Sequence, residues 1–244
     1  MDWWKCLLGV VLALLVSAPA FCDGPFVVGP FSSGAEGGVF PDGWEPLLFK
    51  KITTHTQYTL EDGGGSVVVK ATSVGGASGM IRKVAIDPHQ WPVISWRWKV
   101  GNVYEKGDAT TKRGDDYPAR IYVAFAFDPG AASFTERLTF KAAEAIHGEY
   151  PPVAVLNYIW ANQMPKGDIL PNAYTGRAMM IAVQSGPDNA GTWITETRNI
   201  LTDYKQAFGT NPPPISGVAI MTDADNTGES ATAWYGDIQF LQAE

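Results

Sequence analysis

Residues 215–240 read ISGVAIMTDADNTGESATAWYGDIQF and contain two β-type runs on either side of a short acidic loop. The first run, residues 217–222, is mostly apolar, and the second, residues 232–241, is rich in aromatic residues. Between them, Asp223 and Asp225 place carboxylate oxygens beside turn-forming residues at the end of a strand. Such a loop suits a hard cation or a polar ligand, but it specifies no reaction.

The same β-type signal recurs in short runs that turn residues separate. Residues 93–100 read VISWRWKV, and their alternation places Trp96 and Trp98 on one face of a strand. The glycines of residues 62–65 predict a hairpin turn, and residues 75–79 predict a second hairpin connection. The remaining runs are residues 54–60, 66–72, 80–86, 120–127, 153–160 and 178–184.

One segment in the middle of the chain carries a helix start signal. Ser133 and Glu136 have the spacing of a capping box, in which each side chain satisfies the other residue's free backbone donor. Phe134 and Leu138 follow at helical spacing, and Gly148 is the predicted end. This pattern predicts a short helix with one apolar face.

A second short helix is predicted where Asn199 can cap its start and Gly209 can end it. Two short helices among about ten short strands indicate a mainly β protein built from two packed sheets. We therefore expect an antiparallel β-sandwich of the jelly-roll kind, and a β-barrel is the alternative.

The first 20 residues are predicted to be an export signal. Residues 7–16 form an apolar run, and residues 18–20, APA, have the small side chains that cleavage requires. The run is shorter than the roughly 20 apolar residues of a transmembrane helix. Cleavage would leave residues 21–244 as a single β-sandwich domain, periplasmic or extracellular, with no membrane span. An uncleaved anchor is the alternative.

The overall charge narrows the classes of partner. The chain has 18 Lys and Arg against 25 Asp and Glu, a formal net charge of −7. Because the chain is acidic and has no basic stripe, we expect neither nucleic acid nor an anionic membrane as partner. Cys6 lies in the predicted signal, so Cys22 has no cysteine to pair with in the mature chain. No internal disulfide or thiolate metal site is therefore expected.

Several motifs follow one another in a recognisable order: SWRWK (95–99), GDDYPARIYV (114–123), LNYIWA (156–161), NAYT (172–175), MTDADNTG (221–228) and YGDI (235–238). Together they resemble a family of exported bacterial proteins catalogued as domain of unknown function 3047. The resemblance covers nearly the whole predicted mature chain, and it implies no activity and no catalytic residue. More loosely, the pattern is similar to jelly-roll modules that bind carbohydrate, which is a likeness of fold.

The acidic loop is the first candidate site. Asp223 and Asp225 occupy the first and third places of an EF-hand-like loop, but Trp234 stands where an EF-hand has its bidentate Glu. A shorter loop with these two aspartates could still hold calcium, which is the candidate metal. The alternative is a β-turn in which Asp and Asn bond their own backbone.

A second candidate site lies at the start of the predicted strand 120–127. Asp115 and Asp116 precede Arg120, and paired carboxylates can share a proton, as general acid catalysis needs. An ion pair with Arg120 is one alternative. The other is a solvated surface loop, since residues 101–116 form the longest polar connection.

Aromatic residues beside amides suggest a third kind of site. Sugars stack their C–H faces on flat rings while their hydroxyls bond to amides and carboxylates. Trp160, Tyr174 and Trp193 are the candidate rings, and Asn157 and Asn172 are the nearby amides. Ordinary core packing is the alternative for each tryptophan.

These observations favour a protein that binds a polar ligand, such as a glycan or a cell-envelope saccharide. The candidate ligand-binding residues are Asp116, Arg120, Trp160, Tyr174 and Trp193, and the candidate metal ligands are Asp223 and Asp225. No nucleophile elbow or P-loop is present, so no catalytic residue is assigned. The alternatives are a saccharide-active enzyme that uses a carboxylate pair and a non-catalytic envelope scaffold that binds a protein.

Overall fold

The computed structural model describes residues 24–130, 132–147 and 150–243. The predicted signal at residues 1–20 lies outside the described residues, as does Gly148 at the predicted helix end. No helix in the described part of the chain is both long enough and apolar enough to cross a membrane.

The strands account for most of the regular structure. They are β1 (Phe26–Gly29), β2 (Trp44–Leu47), β3 (Gln57–Asp62), β4 (Val67–Val74), β5 (Ala77–Ile86), β6 (Val93–Val100), β7 (Arg120–Phe125), β8 (Ala154–Ala161), β9 (Ile169–Asn172), β10 (Thr175–Ser185), β11 (Ile194–Asn199), β12 (Ile215–Asp223) and β13 (Ser230–Leu241). The helices are α1 (Phe134–His147) and α2 (Ile200–Phe208).

The strands form two sheets. Sheet A has the order β11-β6-β13-β4-β3, with β1 also paired to β13, and sheet B has the order β2-β5-β12-β7-β8-β10-β9. The described pairs are antiparallel, except that β8 and β10 run parallel. The expected jelly-roll-like β-sandwich with two short helices is confirmed.

The short strands β2 and β9 escaped the sequence pattern because each contains a proline. Pro46 lies in β2 and Pro171 in β9, and proline within a run argues against a central strand. Both strands lie at edges of sheet B, where a missing ladder N–H costs little. Proline is tolerated in edge strands, so the two strands form even though their prolines argued against them in the sequence.

The main core lies between the sheets and is aromatic. The predicted alternation of β6 is confirmed, because Trp96 and Trp98 are buried on the inner face of sheet A. They face Tyr158 and Trp160 of β8, with ring centroids 5.2 Å apart for Trp96 and Tyr158 and 5.9 Å apart for Trp98 and Trp160. Burial of such large rings gives the sandwich much of its stability.

The connection at residues 75–79 is not the predicted hairpin. It carries the chain from β4 in sheet A to β5 in sheet B. Gly76 permits the crossing, since a Cβ at this position would lie 2.5 Å from the carbonyl oxygen of Thr54. A glycine pattern alone cannot distinguish this close approach from a turn within one sheet.

Both helix starts are confirmed, but the apolar face of α1 is not where the spacing suggested. The Ser133 hydroxyl donates to Glu136 at 2.6 Å, and the Asn199 side chain accepts from the backbone N–H of Thr202 at 3.0 Å. Phe134 is 76% exposed, whereas Phe140 is the buried ring of α1. Phe140 is buried because it stacks on Phe127, just after β7, at 3.8 Å.

Candidate functional site

A cleft of about 790 Å³ lies on the face of sheet B that is turned away from the core. Its floor comes from the adjacent strands β7, β12 and β8, through residues such as Arg120, Asp223 and Asn157. Its walls come from the loop 48–52, which follows β2, and from Tyr174, which precedes β10. This is the largest of the described clefts, and its size suits a small polar ligand.

Strand alternation explains which side chains reach the cleft. In the antiparallel pair of β7 and β12, Arg120 lies opposite Met221. Arg120 and Tyr122 point away from the core that contains Ile121, because successive side chains alternate between faces. Asp223 lies two residues beyond Met221 and shares its face. The loop before β7 and the acidic loop after β12 therefore meet at one end of sheet B.

Arg120 is the centre of the polar network on the cleft floor. Its Nε donates to Asp223 Oδ1 at 2.8 Å, and its Nη2 donates to Asp223 Oδ2, so the pair is bidentate. Nη2 also donates to the carbonyl oxygen of Asp115 at 2.6 Å. The guanidinium carbon lies 4.4 Å from the ring centroid of Tyr117. A bidentate pair of this kind fixes both side chains in one geometry.

Asp116 holds the acidic loop in place from behind the cleft. Its carboxylate accepts from the backbone N–H of Asn226 at 3.0 Å and of Thr227 at 2.6 Å, and from the Asn226 amide at 3.0 Å. It is fully buried and does not line the cleft. The expectation of a solvated loop at residues 101–116 is wrong at this end, because the carboxylates turn inwards to bind these donors.

Two buried acceptors on the cleft floor have no hydrogen-bond donor among the described residues. Asp115 is 5% exposed; its Oδ2 accepts from Asn172 at 2.8 Å, but its Oδ1 has no partner and lies 3.7 Å from Nη1 of Arg120. Asn157 is also buried, and its Oδ1 is likewise unpartnered. Most buried polar side-chain atoms find a partner. Four other buried atoms of the described residues also lack one, namely Trp96 Nε1, Trp98 Nε1, Tyr104 OH and Tyr117 OH, but only Asp115 and Asn157 line the cleft, which makes its floor the candidate ligand position.

The carboxylates around Arg120 perturb one another. Burial raises the pKa of Asp223, Arg120 opposes the rise, and Asp116 adds to it by like-charge repulsion. Burial also raises the pKa of Asp225, with Asp116 as the next cause. Burial works to lower the pKa of Arg120, but the facing Asp223 carboxylate keeps it raised. Asp223 and Asp225 therefore bind a proton more readily than exposed carboxyl groups do, because negative charge at this buried and crowded site is costly.

The geometry allows a direct test of how well calcium would fit. Asp116, Asp223 and Asp225 each offer a carboxylate oxygen, and these oxygens lie within 4.8 Å of one another. However, Arg120 already donates to both oxygens of Asp223, and the loop N–H groups donate to Asp116. A calcium ion, which prefers about six to eight oxygen ligands, would lie beside a fixed guanidinium. The residues fit calcium poorly, and a metal at Asp223 and Asp225 stays a prediction.

Of the predicted stacking residues, only Tyr174 lies at the cleft. Its ring is 55% exposed, and its hydroxyl is held by Asn226 Oδ1 at 2.7 Å. Trp160 is fully buried between the sheets, so it has no ring face open to a ligand and is removed from the candidate set. Trp193 lies on the outer face of sheet A, where Arg97 is 4.8 Å from its ring centroid.

The structure thus brings together Asp116, Arg120, Tyr174, Asp223 and Asp225, and it does not bring Trp160 or Trp193 to them.

Sequence reasoning missed Tyr122, Asn226 and the wall formed by the loop 48–52. The apolar residues Leu48 and Phe49 in this loop were the only local signal for that wall, since exposed apolar residues that lie together often mark a ligand or protein contact.

No curated protein sequence matches the chain. The family 11 carbohydrate-binding module of a cellulosomal cellulase from Clostridium thermocellum is 10% identical over 90% of this chain and 95% of that chain, with a TM-score of 0.41. The Emp47p carbohydrate recognition domain is 12% identical over 90% and 96%, with a TM-score of 0.46. A family 29 carbohydrate-binding module is 11% identical over 90% and 89%, with a TM-score of 0.37.

These distant likenesses concern the arrangement of strands only. The sequence-level comparison is more specific, because one family model extends over most of the chain. That model, described as Protein of unknown function (DUF3047), matches residues 42–239, and this chain therefore belongs to that family.

Proposed function

We propose that the protein binds a polar saccharide, such as a glycan or a cell-envelope saccharide, in the cleft on the outer face of sheet B. One observation carries the proposal: the cleft combines the unpartnered buried acceptors Asp115 Oδ1 and Asn157 Oδ1 with the exposed ring of Tyr174. Saccharide hydroxyls donate to such acceptors, and the C–H faces of a sugar pack on a ring.

The two unpartnered acceptors carry an energetic cost. A buried acceptor without a donor costs about 1–3 kcal/mol of stability. An apolar residue at position 115 or 157 would avoid that cost. A ligand that donates a hydrogen bond to these oxygens would explain why Asp115 and Asn157 are polar. Asp116, Arg120 and Asp223 then act as the scaffold that holds Asp115 and the acidic loop in position.

A saccharide-active enzyme is the second candidate, and the proximity of three carboxylates favours it. A glycosidase needs two carboxyl groups that both reach the scissile bond. Of the clustered three, Asp116 lies behind the cleft and Asp223 is bidentate with Arg120. Of these three, only Asp225 lines the cleft without such a partner. Asp115 lines it as well, but its Oδ2 accepts from Asn172 and its Oδ1 lies 3.7 Å from Arg120. Binding is therefore better supported than catalysis through this cluster.

An envelope scaffold is supported less well. That function calls for an exposed apolar patch without polar groups to bind a ligand. Leu48 and Phe49 on the cleft wall are apolar and exposed, but Asp115, Arg120 and Asp223 lie on the floor of the same cleft. For the cellular location, the predicted export signal at residues 1–20 supports a periplasmic or extracellular protein. Such a location would give the cleft access to envelope or environmental glycans.

The test is a binding screen of the purified protein against a panel of neutral, amino and acidic oligosaccharides, followed by calorimetry on each hit. We expect Tyr174→Ala to weaken binding about ten-fold, since the loss of about 1.4 kcal/mol of contact with the ring corresponds to that factor. Phe134→Ala is the matched control, because Phe134 is an exposed ring that does not line the cleft.

Two results would change the assignment. Binding that Tyr174→Ala leaves intact would place the site elsewhere on the molecule. Product formation from a bound oligosaccharide, lost in Asp225→Asn while binding persists, would make the enzyme the correct function. Product analysis by mass spectrometry should therefore accompany the screen.

A further inference from the structure

The cleft floor carries an excess of negative charge. Asp115 and Asp223 are buried on the floor beside the single guanidinium of Arg120, and Asp225 adds a partly exposed carboxyl group to the lining. Asp116 is a further buried carboxyl group behind the floor, close to Asp223 and Asp225. Like charges at this spacing repel one another strongly because they are shielded from water. A ligand that brought positive charge to the floor would relieve that repulsion.

The second, independent observation is the orientation of hydrogen-bonding capacity on the floor. Asp115 Oδ1 is buried and unpartnered, and Arg120 Nη1 approaches it only to 3.7 Å. The Asn157 Oδ1 atom is an unpartnered acceptor as well. A group with several N–H donors and a positive charge satisfies both needs at once, and an ammonium is such a group.

The lysines near the cleft do not remove this excess. Lys50 and Lys51 lie on the wall formed by the loop 48–52, and Lys112 lies 5.2 Å from the ring centroid of Tyr174. All three side chains are exposed, so water and salt screen their charges. The cleft therefore has a negative floor beneath a positive, solvated rim.

We propose that the cleft prefers saccharides that carry free amino groups, with the ammonium directed at Asp115 and Asp225. This inference rests on the proposed saccharide binding and specifies its ligand class. A neutral sugar would satisfy the acceptors but leave the excess charge, and a uronic acid would add to it. An N-acetylated amino sugar keeps an N–H but loses the positive charge.

The test compares three β-1,4-linked tetrasaccharides that differ only at carbon 2 of each ring. They are the glucosamine tetramer, its N-acetylated counterpart and the glucose tetramer. We expect calorimetry to show the glucosamine tetramer binding at least about ten-fold more tightly than either of the others at low salt. The preference should fall as salt is raised, since it is electrostatic in origin.

Substitutions of the acidic residues test whether the cleft floor causes the preference for amino sugars. Asp225→Asn should reduce the preference several-fold, and its side chain is partly exposed, so the fold should tolerate the change. Asp115→Asn should reduce it further, with circular dichroism used to verify folding. Asp237→Asn is the matched control, because Asp237 lies in a different cleft, on the outer face of sheet A. A preference that survives Asp225→Asn and Asp115→Asn would overturn the inference.

The outcomes separate this inference from the proposed function. If the glucose tetramer binds as tightly as the glucosamine tetramer, and Tyr174→Ala weakens both, the amino preference is wrong while saccharide binding stands. If no tetramer and no member of the wider panel binds, both fail. Titration with calcium chloride alone is the last arm: tight calcium binding that Asp225→Asn abolishes would identify the positive group as a metal ion and contradict the amino-sugar inference.

Discussion

The outer faces of the two sheets use similar residue types in opposite ways. On sheet A, Lys99 lies 4.2 Å from the ring centroid of Trp234 and 5.2 Å from that of Trp193. The indole N–H of Trp234 donates to Glu61 at 2.5 Å. On sheet B, by contrast, the buried carboxylate of Asp115 retains an oxygen without a donor.

The contrast concerns how far each face satisfies its own polar groups. On sheet A, Trp234 of β13 lies opposite Lys99 of β6 on one side and Lys70 of β4 on the other, so the ring packs against lysine side chains on both neighbouring strands. Cross-strand pairs of this kind contribute to the stability of a sheet. Solvent-facing aromatic residues therefore do not by themselves locate a binding site in this protein.

The largest expected effect comes from removing one guanidinium on each face. Arg120→Met leaves Asp223 buried without its partner, which should cost about 3–5 kcal/mol of unfolding free energy. Arg97→Met on sheet A removes a partly buried contact with Trp193 and should cost about 1 kcal/mol. Urea unfolding of both variants measures the difference. Equal losses would show that the Arg120 network is no more essential than the sheet A ladder.

The next effect distinguishes two buried amides. Gln184 on β10 is paired at both ends, with Glu196 at 2.6 Å and Asn189 at 3.2 Å, so Gln184→Leu should cost about 1–3 kcal/mol. Asn157→Leu should change stability by less than about 1 kcal/mol, or raise it, because its carbonyl oxygen is unpartnered and its Nδ2 donates only to the thioether sulfur of Met180, a weak acceptor, at 3.2 Å. Only Asn157→Leu should abolish saccharide binding. If Asn157→Leu is the more destabilising of the two, Asn157 serves the fold and not a ligand.

The smallest expected effect concerns metal removal. Because Arg120 already supplies positive charge to Asp223, chelation should leave the unfolding temperature essentially unchanged. Thermal unfolding with calcium and with chelator is the measurement. Saturating calcium at 100 times its Kd would stabilise a genuine site by about 2.7 kcal/mol. A rise of that size, lost in Asp225→Asn, would restore the calcium prediction.

Local sequence patterns were sufficient to predict those parts of the fold that depend on residues close together in the chain. The β6 alternation and both helix starts needed only residues within one turn or one strand. The β8 strand shows the limit of this reasoning. Trp160 was expected to face a ligand, but it lies in the core. Both faces of β8 are largely buried and apolar, so its sequence does not show which face points to the core.

The candidate site was predictable in its residue types but only partly in its membership. Asp116, Arg120 and Asp223 were candidates on two separate segments, and strand pairing of β7 with β12 brings them together. The unmet oxygen of Asp115 and the wall from residues 48–52 depend on contacts between distant segments. No local pattern encodes those contacts, so they required three-dimensional coordinates.

The most direct test of the account is a crystal structure of the protein with the tightest-binding oligosaccharide from the screen. The account predicts a sugar on the outer face of sheet B, with donors within hydrogen-bond distance of Asp115 Oδ1 and Asn157 Oδ1 and a ring packed on Tyr174. A sugar bound instead on the outer face of sheet A, against Trp193, would contradict it.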